Sequence, residues 1–194
     1  MPHVQSWDGF KPPGRPLPGD WDPTAVAKSS GDKRVIHLVI WDGDQLLFVK
    51  NTSKVTKGFT KPAAWGIPTE TVRTDPAESP YEAAERVIHE EVNLFGGEIS
   101  VNSHPILVTK TGNGVVHFLF EGSIEPYTDI PKNIRDTAEE VEEAGLFNPA
   151  IIRIPEFDAT ASDEERMPYF TRGEKKELVY ASHIGFAAFS RYRR

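Results

Sequence analysis

The sequence predicts a single α/β domain in a chain of 194 residues. Residues 79–93 combine capping residues with apolar side chains at helical spacing, which favours an amphipathic helix. Apolar runs around short turns, within residues 35–49 and 106–120, indicate pairs of β-strands. A hydrophobic content of 38% is enough for one sizeable core, so a second domain is not needed.

The first 32 residues differ from the rest in composition. Prolines and glycines are interspersed through them, which disfavours regular secondary structure. Trp7, Phe10 and Trp21 are costly to leave in water, so we expect part of this segment to pack on the domain or on the partner subunit of a homodimer. We therefore divide the chain into an N-terminal arm, residues 1–32, and one domain, residues 33–194.

Four strands are predicted in the first two thirds of the domain. Residues 35–41 and 45–49 are apolar runs on either side of an Asp-Gly-Asp turn, which is typical of a β-hairpin. Residues 106–109 and 115–120 flank a Thr-Gly-Asn-Gly turn and predict a second pair of strands.

The helix predicted at residues 79–93 has a well-defined start. Ser79 is suited to cap it, Pro80 occupies the first helical position, and Glu82 completes a capping box. One face of the helix is apolar and should be buried, through Tyr81, Ala84, Ile88 and Val92. Charged side chains cluster elsewhere on it: Glu78, Glu82, Arg86, Glu90 and Glu91.

A C-terminal amphipathic helix is predicted within residues 174–194. Apolar side chains recur there at helical spacing, and the segment ends in arginines that complement the negative end of a helix dipole.

Charge and composition exclude several classes of protein. The chain has 29 acidic and 22 basic residues and a net charge of −7, which argues against binding to nucleic acid polymers or to membrane surfaces. It has no cysteine, so disulfides and thiolate metal sites are excluded. We find no signal peptide and no apolar run of membrane-spanning length, and we expect a cytoplasmic protein.

Residues 65–94 resemble the Nudix box, the loop-helix signature of Nudix hydrolases. The family pattern reads Gly, five residues, Glu, seven residues, Arg-Glu-apolar-x-Glu-Glu-x-Gly-apolar. The residues that match it, in order, are Glu78, Arg86, Ile88, Glu90, Glu91 and Leu94.

The strands around this motif are also similar to those of a Nudix domain, so the resemblance covers roughly residues 34–155. It implies an α/β/α sandwich with a mixed sheet and with the motif helix on one face. It also implies a late acidic loop at residues 140–147, followed by a strand at residues 151–154.

The sequence departs from the family pattern at three places. Val87 replaces a glutamate that is a metal ligand in the family, and Asn93 replaces the second glycine. The first glycine is replaced by Val72 or, if the loop holds two extra residues, by Thr69 and Glu70. Two interpretations of Val87 stay open: it marks a lost ligand in an impaired site, or it widens the buried stripe of the helix.

The resemblance implies a Mg²⁺ site, with Mn²⁺ as an alternative ion. Magnesium commonly takes one or two protein carboxylates together with waters and substrate phosphate oxygens. Glu90 and Glu91 meet that minimum and are the predicted metal ligands and catalytic residues. Glu140 or Glu142 is the candidate auxiliary carboxylate, and a solvated acidic turn is the alternative for each.

The remaining motif residues are assigned to architecture and to substrate binding. The family pattern implies that Arg86 pairs with Glu78 and so bridges loop and helix. Lys54, Lys57 and Lys61 lie in a connection that passes near the substrate in a Nudix fold, and they are candidates for phosphate contacts. A lysine-rich surface loop is the alternative. The histidines are too scattered for a zinc site.

The leading functional hypothesis is Mg²⁺-dependent hydrolysis of a nucleoside diphosphate linked to another group, impaired if Val87 marks a lost ligand. The second hypothesis is a catalytically weak or inactive Nudix-like module that binds nucleotides. A third, a purely structural acidic protein, leaves the pattern over residues 65–94 as a coincidence.

Overall fold

The computed structural model describes residues 10–17, 33–56, 59–92, 98–126, 141–156 and 158–192, with the backbone alone at positions 55, 56, 59 and 60. The strands are β1 (Arg15–Pro16), β2 (Arg34–Asp42), β3 (Gln45–Asn51), β4 (Lys54–Thr56), β5 (Phe59–Lys61), β6 (Ala64–Gly66), β7 (Thr69–Thr71), β8 (Ile99–Val101), β9 (Leu107–Lys110), β10 (Val116–Ile124), β11 (Val141–Phe147), β12 (Tyr169–Arg172) and β13 (Lys175–Leu178). The helices are α1 (Pro80–Val87), α2 (Asp163–Arg166) and α3 (Ala181–Tyr192). A π-helical turn lies at Ile88–Val92 and a 3₁₀ turn at Pro149–Ile151.

Nine of these strands form one mixed sheet. Its main path runs β1-β9-β10-β2-β3-β11, while β6, β7 and β8 pair with β3, β2 and β10. β2 and β10 run parallel, and the other pairings described in this sheet are antiparallel. β2 is buried on both faces over most of its length, as expected for a strand at the centre of a covered sheet.

The two faces of the sheet carry two separate halves of the core. On one face, Ile36 and Leu38 of β2 belong to the same buried cluster as Val87 of α1. On the other face, Val39 of β2 belongs to a cluster with Phe186 of α3. Successive side chains of a strand point to opposite faces, so this central strand contributes to both clusters. The expected α/β/α sandwich with a mixed sheet is confirmed.

The predicted start of α1 is also confirmed. Ser79 Oγ accepts a hydrogen bond from the Glu82 amide at 3.2 Å, and a Glu82 carboxylate oxygen accepts one from the Ser79 amide at 2.6 Å. Pro80 is the first residue of the helix. Because these signals are local, the sequence alone specified this boundary.

The predicted apolar face of α1 and the following turn packs on the sheet. Ala84, Ile88 and Val92 are buried, and Tyr81 is half-buried. The π-helical turn extends the helix and carries Glu90 and Glu91. None of the helices in the described ranges is long and apolar enough to cross a membrane.

Both predicted strand pairs are present. β2 and β3 form a hairpin whose turn contains Gly43 with a φ of 60°, a conformation that favours glycine. β9 and β10 form the second antiparallel pair.

The predictions for residues 140–154 are wrong in secondary structure. The segment predicted as an acidic loop forms strand β11 from Val141 onwards, and it pairs antiparallel with β3. Val141 and Ala144 are buried against the sheet, whereas the Glu142 side chain is exposed. The predicted strand at residues 151–154 is a 3₁₀ turn followed by an isolated bridge between Arg153 and Tyr169.

The C-terminal helix is shorter than predicted. α3 begins at Ala181, whereas β13 pairs with β12 across a turn that contains Gly173 with a φ of 63°. Glu177 of β13 is buried, accepts a hydrogen bond from Trp65 Nε1 at 3.2 Å and lies 3.1 Å from Lys50 Nζ. These long-range contacts hold the segment extended, and nothing in its local sequence reveals them.

Part of the N-terminal arm packs on the domain. Phe10 packs against the α3-side cluster and Leu17 against the α1-side cluster, while β1 pairs with β9. A Cβ atom at Gly185 would lie 2.3 Å from the carbonyl oxygen of Lys11, so the arm passes directly over α3 at this glycine. Trp7 and Trp21, also expected to pack, lie outside the described residues.

Candidate functional site

An ion-pair network joins the loop before α1 to the helix. Arg86 donates from Nη2 to Glu78 Oε1 at 2.6 Å and from Nε to Glu78 Oε2 at 3.1 Å, which is a bidentate pair. Its Nη2 also donates to the carbonyl oxygen of Thr71 at 3.1 Å. The two charged side chains are each 13% exposed, so the pair is largely shielded from water and fixes the loop against the helix.

Both members of this pair are held in their charged forms. Burial alone would lower the pKa of Arg86, but its hydrogen bonds to Glu78 and Glu90 outweigh burial and raise that pKa. Burial alone would raise the pKa of Glu78, but the Arg86 guanidinium and the Arg73 amide lower it below its ordinary value. The pair is therefore ionised at neutral pH.

Two arginines hold the carboxylate of Glu90. Its Oε2 accepts from Arg86 Nη1 at 2.7 Å, and its Oε1 accepts from Arg73 Nη2 at 2.9 Å. Each oxygen therefore has a cationic donor. A metal ion at this carboxylate would lie beside two guanidinium groups and would be repelled by both.

Val87 lies in the core. Its side chain is 0% exposed and belongs to the buried cluster that also contains Ile36, Leu38 and Phe118. Val87 was open to two interpretations, a lost metal ligand or a wider buried stripe of the helix, and the structure shows the wider buried stripe. The position therefore contributes a packed side chain and no oxygen ligand.

Glu91 is the motif carboxylate that faces a cleft. It is 8% exposed, and its Oε2 accepts a hydrogen bond from the backbone amide of Thr69 at 3.2 Å. Thr69 replaces a loop glycine of the family pattern in the alignment that gives this loop two extra residues. The loop therefore approaches this carboxylate through its backbone even without glycine.

The cleft has a volume of about 310 Å³. It is bounded by the start of β2, the end of β3, the segments around β4 and β5, strand β7 and the start of α3. Among the residues that the structure describes, its charged lining consists of three lysines and two glutamates, namely Lys33, Lys54, Lys61, Glu70 and Glu91. Asn51 and the threonines of β7 add neutral hydrogen-bonding groups.

Tyr180 and His183 form an aromatic wall of the same cleft. Lys61 Nζ lies over the Tyr180 ring, 4.4 Å from its centroid. Burial raises the pKa of Tyr180 to about 12. Burial, together with the Lys61 ammonium and His117, lowers the pKa of His183 to about 3. Both rings are therefore uncharged at neutral pH.

A chain of hydrogen bonds leads from a histidine pair to the cleft. Thr69 Oγ1 donates to the Ile67 carbonyl at 2.9 Å, so it accepts from His37 Nδ1, 3.2 Å away. Burial, His183 and His117 lower the pKa of His37 well below its ordinary value, so this ring is neutral. Its Nε2 then accepts from His117 Nδ1 at 2.9 Å. The network fixes Thr69, whose amide contacts Glu91.

The predicted site residues are distributed unevenly around this cleft. Lys54, Lys61 and Glu91 line it, whereas Glu90 lies in the arginine network. The Glu142 carboxylate does not line the cleft; it lies 3.9 Å from Lys50 Nζ, and 48% of its side chain is exposed. Lys57 and Glu140 lie outside the described residues.

Sequence reasoning missed Lys33, Tyr180 and His183, which also line the cleft. Lys33 precedes the first long strand, and the two rings stand at the start of α3. Their shared position arises from the packing of distant segments, and no local pattern in the sequence indicates it.

The described residues do not fit the multi-carboxylate metal centre that the family resemblance implies. Val87 supplies no oxygen, Glu90 binds two arginines, and Glu142 does not line the cleft. Across the part of the chain that the structure describes, no group of three or more histidine, aspartate or glutamate side chains is arranged to hold a metal ion.

Comparison with known proteins gives similarity in structure alone. No family model and no curated protein matches the sequence. A UDP-X diphosphatase is similar with a TM-score of 0.51 and 13% identity, over 86% of this chain and 67% of that one. The fold is Nudix-like.

Other solved structures that are similar at TM-scores below 0.5 include named Nudix proteins. The NUDIX domain of Shewanella oneidensis NrtR, solved with ADP ribose, has a TM-score of 0.49 and 14% identity over 90% of this chain and 94% of that one. A NUDIX hydrolase from Nitrosomonas europaea has a TM-score of 0.43 and 18% identity over 60% of this chain. This match covers 57% of the length of that protein. At these identities and TM-scores the similarity leaves activity to be argued from the site.

Proposed function

We propose that this Nudix-like chain binds a nucleoside diphosphate linked to another group, and that it hydrolyses this diphosphate slowly or not at all. The observation that carries the proposal is the contrast between the cleft and the motif helix. The cleft has a lysine-rich lining, whereas Val87 is in the core and Glu90 binds two arginines.

The lining suits a diphosphate with an attached nucleoside. Ammonium groups attract and hydrogen-bond phosphate oxygens, and lysine is a common phosphate ligand in proteins. Lys33, Lys54 and Lys61 supply these groups, and Asn51 supplies a neutral partner. Tyr180 offers an uncharged ring beside Lys61 against which an apolar or aromatic part of a ligand can pack. The volume of about 310 Å³ lies at the lower end of the range for small-molecule sites.

Mg²⁺-dependent hydrolysis is the second candidate function, and the position of Glu91 at the cleft favours it. Nudix hydrolases generally use divalent metals. An ion that arrives with the substrate can be held by one protein carboxylate and the substrate phosphates, and Glu91 is the residue proposed to hold it, because the neighbouring Glu90 binds Arg73 and Arg86. Such an ion neutralises charge on the diphosphate and lowers the pKa of a bound water.

A calorimetric titration with a set of nucleotides tests the proposal. The ligands are ADP-ribose, UDP-glucose and diadenosine tetraphosphate, and the control is AMP, which lacks the diphosphate. We expect at least one diphosphate ligand to bind with a Kd below about 1 mM, at least tenfold tighter than AMP. If none binds, or if AMP binds equally well, the proposal is wrong.

A turnover assay with the same ligands and MgCl₂ separates the two candidates. Enzymes typically turn over at about 1 s⁻¹ or faster. We expect a rate far below this value. A rate of that order, abolished by Glu91→Gln without loss of binding, would establish hydrolysis as the function instead.

A further inference from the structure

The positive and negative side chains of the described cleft lining differ in number and in their surroundings. Three lysines line the cleft against two glutamates. One of these, Glu70, lies 3.6 Å from Arg86 Nη1, so an arginine of the motif helix partly balances its charge. The other, Glu91, accepts a hydrogen bond from the Thr69 amide. Among the described lining residues, positive charge therefore exceeds negative charge, in a protein whose overall net charge is −7.

The aromatic wall does not change this balance. Burial and the Lys61 ammonium keep His183 neutral by lowering its pKa to about 3, and burial keeps Tyr180 protonated by raising its pKa to about 12. Within the described lining, the sign of the charge at neutral pH is therefore set by the lysines and the glutamates. A cleft in which one sign of charge is in excess attracts ligands of the opposite charge.

The motif helix and its π-helical turn contribute the Glu91 carboxylate to this cleft, whereas the charge of Glu90 is balanced by arginines. The Glu90 carboxylate accepts one hydrogen bond from Arg73 and one from Arg86, and the Arg86 guanidinium also binds Glu78. The position of Val87 is filled by a side chain of the core. Among the described residues, Glu91 is thus the motif carboxylate that remains at the cleft, and Lys33, Lys54 and Lys61 belong to the same lining.

We infer that Lys33, Lys54 and Lys61 neutralise the diphosphate of the ligand directly, so that binding in this cleft requires no divalent cation. The inference rests on the proposed function and adds to it the way the ligand is recognised. Free ADP carries more negative charge than its magnesium complex. The lysines should therefore bind the free nucleotide at least as tightly as the complex.

Calorimetric titration of the full chain with ADP tests this inference, in 1 mM EDTA and in 5 mM MgCl₂ at equal ionic strength. We expect the Kd in EDTA to be equal to, or smaller than, the Kd in MgCl₂. Binding that is tenfold or more tighter with magnesium would overturn the inference and leave nucleotide binding in place. Absence of binding in both buffers, for ADP and the larger diphosphates alike, would overturn the inference and the proposed function together.

Lysine variants test whether the cleft itself carries the effect. Lys33→Ala and Lys61→Ala should each weaken ADP binding in EDTA about tenfold or more, as expected for the loss of a charge-assisted hydrogen bond. Lys61→Arg keeps the charge and should recover part of that loss. Lys176→Ala is the matched control, because this lysine lies over the Tyr169 ring, outside the cleft, and its removal changes the net charge equally. An equal loss of ADP affinity in Lys176→Ala would assign the effect to net charge and overturn the inference. Melting curves verify that each variant is folded.

Discussion

Replacement of Arg86 by alanine should destabilise the protein strongly. Arg86 makes a bidentate pair with Glu78, binds Glu90 and donates to the Thr71 carbonyl, and its side chain is 13% exposed. Removing one partner of a buried ion pair leaves the other charge without compensation and costs about 3–5 kcal/mol. For a chain of this size, each 1 kcal/mol lowers Tm by about 2–4 °C, so we expect a decrease of about 6–20 °C.

Arg73→Ala is the matched control for this change. Arg73 also pairs with Glu90, at 2.9 Å, but its side chain is 49% exposed. Exposed ion pairs contribute about 0–1 kcal/mol, so its loss should lower Tm by no more than about 4 °C. Differential scanning calorimetry of both variants at pH 7 gives the comparison. Equal Tm values would show that Arg86 is a solvated helix residue and that the loop is held by other contacts.

Three further predictions concern the core, the arm and the response to pH. Val87→Glu should lower the free energy of unfolding by about 3 kcal/mol or more, because the new carboxylate is placed in the core, and it should not raise turnover. Denaturant titration measures the stability and a rate assay measures the turnover. A variant that is faster than the wild type and is stabilised by Mg²⁺ would contradict this prediction. Gly185→Ala should displace residues 10–17 from α3 and expose them to limited proteolysis. Gly112→Ala is the control, because its added Cβ meets nothing within 4 Å, and it should not expose these residues. Equal digestion of the two variants would contradict the packing of the arm. Burial alone would raise the pKa of Glu177, but Lys50 and Trp65 lower it to about 2. The Glu177 carboxylate therefore stabilises the fold at pH values above its pKa in the unfolded chain, about 4.3, and this stabilisation is lost as the pH falls from about 4.3 towards 2. Glu177→Gln should therefore be less stable than the wild type at pH 7, with the difference shrinking below pH 4, and a difference independent of pH would contradict this assignment.

The sequence predicted best where its signals are local. The start of α1 depends on Ser79, Pro80 and Glu82, which are adjacent in the chain, and the hairpin of β2 and β3 depends on one turn. The central sheet followed from apolar runs whose two faces are both buried. These features need no knowledge of distant contacts, which explains why the α/β class was predictable. The sandwich with its mixed sheet was implied by the family resemblance.

The sequence predicted less well where distant segments decide the outcome. β13 contains two lysines and a glutamate, and it is extended because Glu177 meets Lys50 and Trp65. The lysine-lined cleft combines Lys33 with residues of β7 and α3, which are far apart in the chain. Sequence left the role of Val87 open, because the side that a motif residue faces depends on how the helix packs on the sheet.

The proposal that the cleft binds a diphosphate without rapid hydrolysis is tested most directly by phosphorus NMR on one sample. The sample contains the full chain and ADP-ribose in equal concentration with MgCl₂, at a concentration above the measured Kd. We predict that the two phosphorus signals shift or broaden on addition of the protein and keep their intensity for hours. Signals of AMP and ribose phosphate that accumulate within minutes would contradict slow turnover, and unshifted signals at saturating protein would contradict binding in the cleft.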